Sequence, residues 1–369
     1  MPHAPGSGWT FHPYEIALVG YQNSGKTTLA SRLVPLLGLE LAYLKRDAHR
    51  FDMDKPGKDT HTLAQAGAAA VSISDPDHRA TIRQGPLDPI LSRIDLLEYD
   101  AVLVEGHKNT GVPKIVVLDE TLTITSDPAF TGQVPLAAVG PWTSPPPLPW
   151  STPYFCRDDA EGVAGFLRAH WDTLTARRPL LGLVLTGGRS SRMGQDKAAL
   201  AYGDRSESQR VFELLGEFCS EVFVSCRADQ ADLPGRRGLP QIHDVLLGKG
   251  PLSGILSAFE ARPEASWLVV ACDLPRADRD LVATLLAGRN PFRFATAFRG
   301  HQDFPEPLCA VYEPKARARL WQFLAAGLDC PRKMMINSPV QILEPAAGGK
   351  LANANTPQER TAVLHDLGS

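Results

Sequence analysis

The sequence lacks several features that would each have set its class. No two of its six cysteines, Cys156, Cys219, Cys226, Cys272, Cys309 and Cys330, form a C-x-x-C pair. That scatter excludes a standard zinc site or disulfide framework and suits reduced thiols in a cytoplasmic protein. There is no basic excess: 38 Lys and Arg face 41 Asp and Glu, a formal net charge of −3. A chain whose main task is gripping a nucleic-acid backbone usually carries the opposite balance. No run is long and apolar enough for a membrane span, and residues 1–10 lack the basic start and apolar stretch of a secretory signal. No internal repeat is visible between the halves.

What is present is globular. The 369 residues are 43% hydrophobic and 21% charged, enough for two cored domains. Short apolar runs recur, each ending in a glycine-rich or acidic turn: 16–19 before Gly20, 101–104 before Glu105, 181–185 before Thr186, and 267–271 before Cys272-Asp273. A further run, Val222 to Ser225, follows a helical stretch. These read as buried parallel strands alternating with helices, an α/β class with ligands at the carboxyl ends of the strands. Residues 141–153 carry six prolines and read as an extended surface segment. Asp158 to Asp172 reads as a helix with Val163, Phe166 and Leu167 on one face. The polar patch Thr173 to Arg178 then leads to Pro179, which places a domain boundary at 176–179. The expected division is a tail at 1–13, a first domain at 14–176 and a second at 179–369.

Gly20-Tyr21-Gln22-Asn23-Ser24-Gly25-Lys26-Thr27 fits G-x-x-x-x-G-K-[ST] between an apolar strand and an amphipathic helix with Leu29 and Leu33 at i, i+4. The backbone of Gly20, Asn23, Ser24 and Gly25 would wrap phosphate oxygens, and Lys26 would reach the β and γ phosphates. Thr27 would ligate Mg²⁺, with Thr28 completing the nucleotide contacts at the helix N-terminus. Glu105, at the end of a neighbouring strand, is the acidic residue that such a site needs near the metal; the plain alternative is a solvated glutamate. No Asn-Lys-x-Asp element appears, so the base is not specified. Lys45 to Asp59 is polar, with Asp47, His49, Asp52, Asp54 and nearby His61. It reads as a loop near the γ-phosphate rather than a transition-metal site, because these spacings match no standard ligand set.

Together GYQNSGKTT, KRDAHRFDMDKPGKDT, Ala66-Gly67-Ala68 and LVEGHK make residues 14–175 resemble the MobB family, GTP-binding accessory proteins of molybdopterin guanine dinucleotide synthesis. His107 stands where an aromatic Phe is expected.

A second loop, of different design, follows the strand at 181–185: Thr186-Gly187-Gly188-Arg189-Ser190-Ser191-Arg192-Met193-Gly194-Gln195-Asp196-Lys197. Gly187 and Gly188 allow close approach of backbone to a nucleotide, while Arg192 and Lys197 can neutralise a triphosphate and a departing pyrophosphate. Asp273 ends a fully apolar strand, where a carboxylate typically holds Mg²⁺. Asp244 precedes Gly250-Pro251-Leu252-Ser253-Gly254, read as a wall against a flat base. Each feature alone has a plain alternative, a basic loop or a helix N-cap.

With Asn353-Ala354-Asn355-Thr356-Pro357 near the C-terminus, these stretches make residues 180–369 resemble the MobA family, molybdenum cofactor guanylyltransferases. The resemblance implies a fusion of a P-loop NTPase-like α/β domain and a Rossmann-like nucleotidyltransferase domain. It implies transfer of GMP from GTP to Mo-molybdopterin with release of pyrophosphate. Catalysis would fall to Arg192, Lys197 and Asp273. Leu185, Thr186, Gly187, Gly188, Lys197, Asp244 and Asp273 would bind GTP, with Mg²⁺ on Asp273. Molybdoenzymes or their chaperones are the implied recipients of the cofactor; nucleic acid and membrane are not expected partners, and a homo-oligomer stays open. Thr186 stands where Ala is usual, Val224-Ser225-Cys226 lacks an asparagine associated with ribose contact, and Phe304 to Cys309 departs from the usual late-strand pattern. Three rivals stand beside it: a cytidylyltransferase acting on the same pterin, a sugar-phosphate nucleotidyltransferase, which is a poorer match at Gly250 to Gly254, and a GTP-dependent adaptor whose second half is inert.

Overall fold

The computed structural model describes residues 12–45, 54–85, 89–130, 132–186, 206–344 and 349–352. The chain divides into two compact units, 1–166 and 167–369.

In the first unit, the apolar run Glu15–Val19 is strand β1, and α1 (Lys26–Leu37) follows the glycine-rich turn. Leu29 and Leu33 are buried, as the helical spacing requires. Then come β2 (Leu41–Lys45), α2 (Asp59–Gln65), β3 (Ala70–Ser74), β4 (Arg79–Arg83) and α3 (Pro89–Leu96). β5 (Ala101–Glu105), β6 (Lys114–Val117), β7 (Ala137–Gly140) and β8 (Tyr154–Cys156) complete the unit. Six strands form one parallel sheet in the order β2-β5-β1-β6-β7-β8, while β3 and β4 pair apart as an antiparallel hairpin. β1 and β5 are buried along their whole length, which explains runs without polar alternation. All six strands point their carboxyl ends to one edge, and the turn after β1 lies there, beside the end of β5.

The proline-rich segment is extended, and Leu148, Trp142 and Trp150 pack partly against the core. The expected helix is α4 (Ala160–Ala176), which continues past Asp172 and ends inside the polar patch. The division between the two units falls within this helix, earlier than 176–179. Trp171 is fully buried, with its ring 6.1 Å from that of Phe292, so the helix's last turns have their own packing partner. That burial outweighs the weak helix preference of Thr173 and Thr175, whose hydroxyls bond back to the carbonyls of Ala169 and Trp171.

The second unit contains β9 (Leu180–Leu185), α5 (Glu207–Gly216), β10 (Val222–Cys226), β11 (Gln241–His243), α6 (Pro251–Ala261) and β12 (Ser266–Ala271). α7 (Arg279–Ala287), β13 (Ala295–Arg299), β14 (Pro305–Tyr312), α8 (Ala316–Ala325), α9 (Pro331–Ile336) and β15 (Gln341–Leu343) follow. The sheet order is β11-β10-β9-β12-β14-β13-β15. β9, β10, β11 and β12 are parallel, as the apolar runs suggest, but β14 is antiparallel to both β12 and β13. A reversed strand buried on both faces looks like a parallel one in sequence, so its direction was not legible.

Candidate functional site

The first site forms where β1 turns into α1. Gly20 cannot carry a side chain, because a Cβ there would lie 2.4 Å from the Val117 carbonyl oxygen and 2.6 Å from Ser24 Oγ. Asn23 and Gly25 take positive φ values of 63° and 96°, which curl the loop before the helix begins. Ser24 is buried, while Thr27 and Thr28 are exposed at the helix start. Lys26 Nζ donates to the Tyr21 carbonyl of its own loop at 2.7 Å. Its pKa is lowered by burial and by Lys108 and Lys45, against an opposing pull from Glu105.

Glu105 lies at the carboxyl end of β5, paired in register with Leu18 of β1 and Lys45 of β2. Thr27 Oγ1 donates to Glu105 Oε2 at 3.0 Å, so the structure brings the two expected metal-site residues together. Two further groups meet the same carboxylate: the Tyr43 hydroxyl, which donates to it, and Lys45 Nζ at 3.6 Å. Burial alone would raise the Glu105 pKa, but hydrogen bonds from Tyr43 and Thr27 and the charges of Lys45 and Lys26 outweigh it and hold it low. Tyr43 was not foreseen. The signal was available: alternation in β2 puts Tyr43 and Lys45 on one face, level with the end of β5. Tyr21 is also fixed, by Asp127 at 3.0 Å and by Lys108 Nζ at 4.0 Å from its ring centre. Lys108 completes the group by pairing with Asp127 at 2.8 Å. His107 holds a positive φ of 53° right after the β5 end.

Asp47, His49 and Asp52 lie outside the described residues. Asp54 Oδ1 accepts from Thr60 Oγ1 and Lys55 N, both at 2.9 Å. Among the described residues no group of three or more His, Cys, Asp or Glu could hold a metal ion.

In the second unit Leu185 ends β9 and Thr186 follows it, and both are buried. Thr186 Oγ1 donates to the Ser225 carbonyl at 2.7 Å and accepts from Arg236 Nε at 3.0 Å. Arg236 Nη2 also donates to the Thr186 carbonyl at 2.7 Å, and Arg236 is fully buried. The threonine is thus the hydroxyl partner of a buried arginine at the root of the second loop. Gly187, Gly188, Arg192 and Lys197 lie outside the described residues, as do Asn353 to Pro357.

Asp244 sits close by, at the end of β11. Its backbone N–H donates to the Cys226 carbonyl at 2.9 Å, and Ser225 Oγ donates to its Oδ1 at 3.0 Å. Burial raises the Asp244 pKa against the opposing effects of Ser225, Arg227 and His243. Gly250 to Gly254, read from sequence as a wall against a base, also has a packing role. Pro251 to Gly254 are the first turn of α6, and a Cβ on Gly254 would fall 2.3 Å from Ser225 Oγ and 2.7 Å from Leu185 Cδ2. The glycine lets the helix press against β9 and β10; it faces the sheet. Only Gly250, with φ 55°, keeps a turn function.

Asp273 follows β12 and Cys272 at the carboxyl end of the central strands. Its charge, with burial as the larger cause, raises the pKa of Glu306 on β14. Glu306 accepts from Leu308 N at 3.0 Å and from Arg332 Nη2 at 3.2 Å. Sequence reasoning saw 304–309 only as a departure from pattern. The acidic residue between two prolines was the signal.

The family described as MobA-like NTP transferase domain matches residues 182–339, and that described as molybdopterin guanine dinucleotide synthesis protein B matches residues 15–137. A molybdenum cofactor biosynthesis bifunctional protein of Synechocystis sp. is 37% identical over 185 residues, 50% of this chain and 53% of the relative. A molybdopterin-guanine dinucleotide biosynthesis adapter protein of Escherichia coli is 35% identical over 111 residues, 28% of this chain and 63% of the relative. The chain thus spans about half the length of the first and under two thirds of the second. A molybdenum cofactor guanylyltransferase of Pseudomonas paraeruginosa is 32% identical over 189 residues, 50% of this chain and 94% of that protein. No helix among the described residues is long and apolar enough to cross a membrane. The chain belongs to the molybdenum cofactor guanylyltransferase family, and ahead of that domain it carries one of the molybdopterin guanine dinucleotide synthesis protein B family.

Proposed function

We propose that the second unit transfers GMP from GTP to Mo-molybdopterin, and that the first binds GTP as an accessory domain. A phosphate oxygen of the pterin attacks the α-phosphorus of GTP, the bond to the bridging oxygen of the β-phosphate breaks, and pyrophosphate leaves with that electron pair. The attacking oxygen is already anionic, so no side-chain base is required. The work is positioning and charge neutralisation.

The observation that carries this reading is the placement of Asp273 just past β12, whose last residue Ala271 is in register with Leu185 of β9, where the second loop begins. Burial and, to a lesser degree, the charge of Asp273 raise the pKa of Glu306 on the neighbouring strand, so two carboxylates there suit a cation more than a bare anion. Their oxygens, like those of Thr27 and Glu105 in the first unit, are the hard donors that Mg²⁺ takes. When bound beside Asp273, Mg²⁺ would supply charge stabilisation for the α-phosphate and the leaving group. Arg192 and Lys197 neutralise the triphosphate; Leu185, Thr186, Gly187, Gly188 and Asp244 line the nucleoside side. In the first unit, Gly20, Asn23, Ser24, Gly25 and Lys26 wrap the phosphates, with Thr27, Thr28 and Glu105 at the helix start. The division of function is set at 176–179, between the stretches 15–137 and 182–339 that match the two families. Molybdoenzymes or their chaperones would receive the product, in the cytoplasm.

Pyrophosphate release with molybdopterin and each of GTP, CTP and ATP tests the reading. GTP is expected to be the productive donor. Equal or better turnover with CTP would reassign the enzyme as a cytidylyltransferase. No release with any donor would leave an adaptor with an inert second unit.

A further inference from the structure

We infer that Arg157, on the loop after β8, is an anion-contacting residue of the first site and donates to a phosphate of the nucleotide held there. The inference rests on the reading of that site as a nucleotide cradle.

Arg157 stands where several strand ends converge. Its backbone N–H donates to the carbonyl of Gly140, the last residue of β7, at 2.7 Å. Its Nη2 donates to the carbonyl of Leu118, just past β6, at 3.0 Å. Its Cδ and Nε pass 3.3 Å from the position a Cβ would take on Gly25, the residue before Lys26. The guanidinium therefore lies against the phosphate loop itself, and Gly25 leaves room for it.

Its charge is not answered within the described residues. Nε is buried without a hydrogen-bond partner, and Nη2 reaches only a neutral carbonyl. The adjacent carboxylates are committed elsewhere. Asp158 pairs with Arg32 of α1 at 3.2 Å, and Asp159 accepts from Gly162 N at 2.9 Å in the first turn of α4. A half-buried guanidinium without an anion is costly to keep. Placed beside a loop built to wrap phosphate, it has an evident counter-charge in the ligand, and arginine is well suited to that contact. The spacing also explains why no motif search finds it: Arg157 is far from the loop in sequence and reaches it only because β1 and β8 share one parallel sheet.

The test uses the full chain and the component of GTP and GDP binding that Lys26→Ala removes, which separates the first site from the transferase site. Arg157→Gln is expected to weaken that component about ten- to a hundredfold, the range of a lost charged hydrogen bond. Arg157→Lys should recover part of the loss. The rise in Tm produced by GTP should be smaller in Arg157→Gln, over and above any change in the nucleotide-free Tm, because stabilisation by a ligand follows the logarithm of its affinity. Binding in Arg157→Gln equal to the parent's overturns the inference alone. So does a lower nucleotide-free Tm with an unchanged GTP-induced rise, because that is the signature of a clamp on Leu118. A parent chain with no component sensitive to Lys26→Ala overturns the reading of the site, and the inference with it.

Discussion

The two units hold carboxylates at strand ends on the edge of the sheet where their glycine-rich loops begin, and treat them in opposite ways. In the first, Glu105 is surrounded by donors, Tyr43, Thr27 and Lys45, and its pKa is held low. In the second, burial raises the pKa of Asp244 and of Glu306, the latter further raised by Asp273. Donors around Glu105 favour its charged form, whereas burial disfavours the charge on Asp244 and on Glu306, so the two environments respond to pH in opposite directions. Likewise, the first loop is fixed by its own carbonyl at Tyr21, whereas the second is anchored at its root, by Arg236 on Thr186.

The sharpest way to break this contrast is Asp273→Ala. The chain should fold, and transfer should fall by about 10² to 10³, the usual cost of a lost electrostatic contact to the reacting charge. Nucleotide binding at the first site should be unchanged. Near-normal turnover at saturating Mg²⁺ would remove Asp273 from the site. Next in size, Lys26→Ala should weaken nucleotide binding at the first site by about ten- to a hundredfold in a direct titration, since it deletes a charged hydrogen bond. An unchanged titration would mean that the first loop holds no triphosphate.

A smaller effect is expected from Thr186→Ala. It removes the hydroxyl that joins Arg236 to the Ser225 carbonyl, and should cost about 1 kcal/mol of stability in denaturant unfolding, as an ordinary hydrogen bond does. Unchanged unfolding would show that the Thr186 carbonyl alone anchors Arg236.

The subtlest test is one of sign. Glu306 has a raised folded pKa, so its contribution to stability is full below the unfolded value of about 4.5 and is lost as pH rises through the folded value. Gln cannot ionise, so Glu306→Gln should have the higher Tm at pH 7, with the difference closing in acid. Glu105 has a lowered folded pKa, so its stabilisation is present above about 4.5 and is lost as pH falls through the folded value. Glu105→Gln should therefore have the lower Tm at pH 7, again converging with the parent in acid. Tm against pH for both variants checks this; shifts of the same sign would erase the contrast between the sites.

The strands that carry both sites were legible, because β1, β5, β9 and β12 are apolar runs buried on both faces, with a glycine or an acid at or within two residues of each end. Thr27 and Glu105 were legible as partners because the loop motif requires an acidic residue at a neighbouring strand end. What escaped reading depends on packing across the sheet. Arg236 reaches Thr186 from a distant loop, Glu306 feels the charge of Asp273 from an antiparallel strand that sequence does not orient, and Gly254 serves a helix–strand contact. Helix α4 outran its expected end because Trp171 found a buried place that the polar residues after it did not announce.

The central claim is that each unit carries its own nucleotide site and that transfer belongs to the second. Pyrophosphate release by purified Lys26→Ala and Asp273→Ala, measured side by side with pure cofactor and GTP, tests it most directly. The account predicts transfer that remains measurable in Lys26→Ala and collapses in Asp273→Ala. A collapse in Lys26→Ala as complete as that in Asp273→Ala would contradict it, because the two loops would then serve one composite active site.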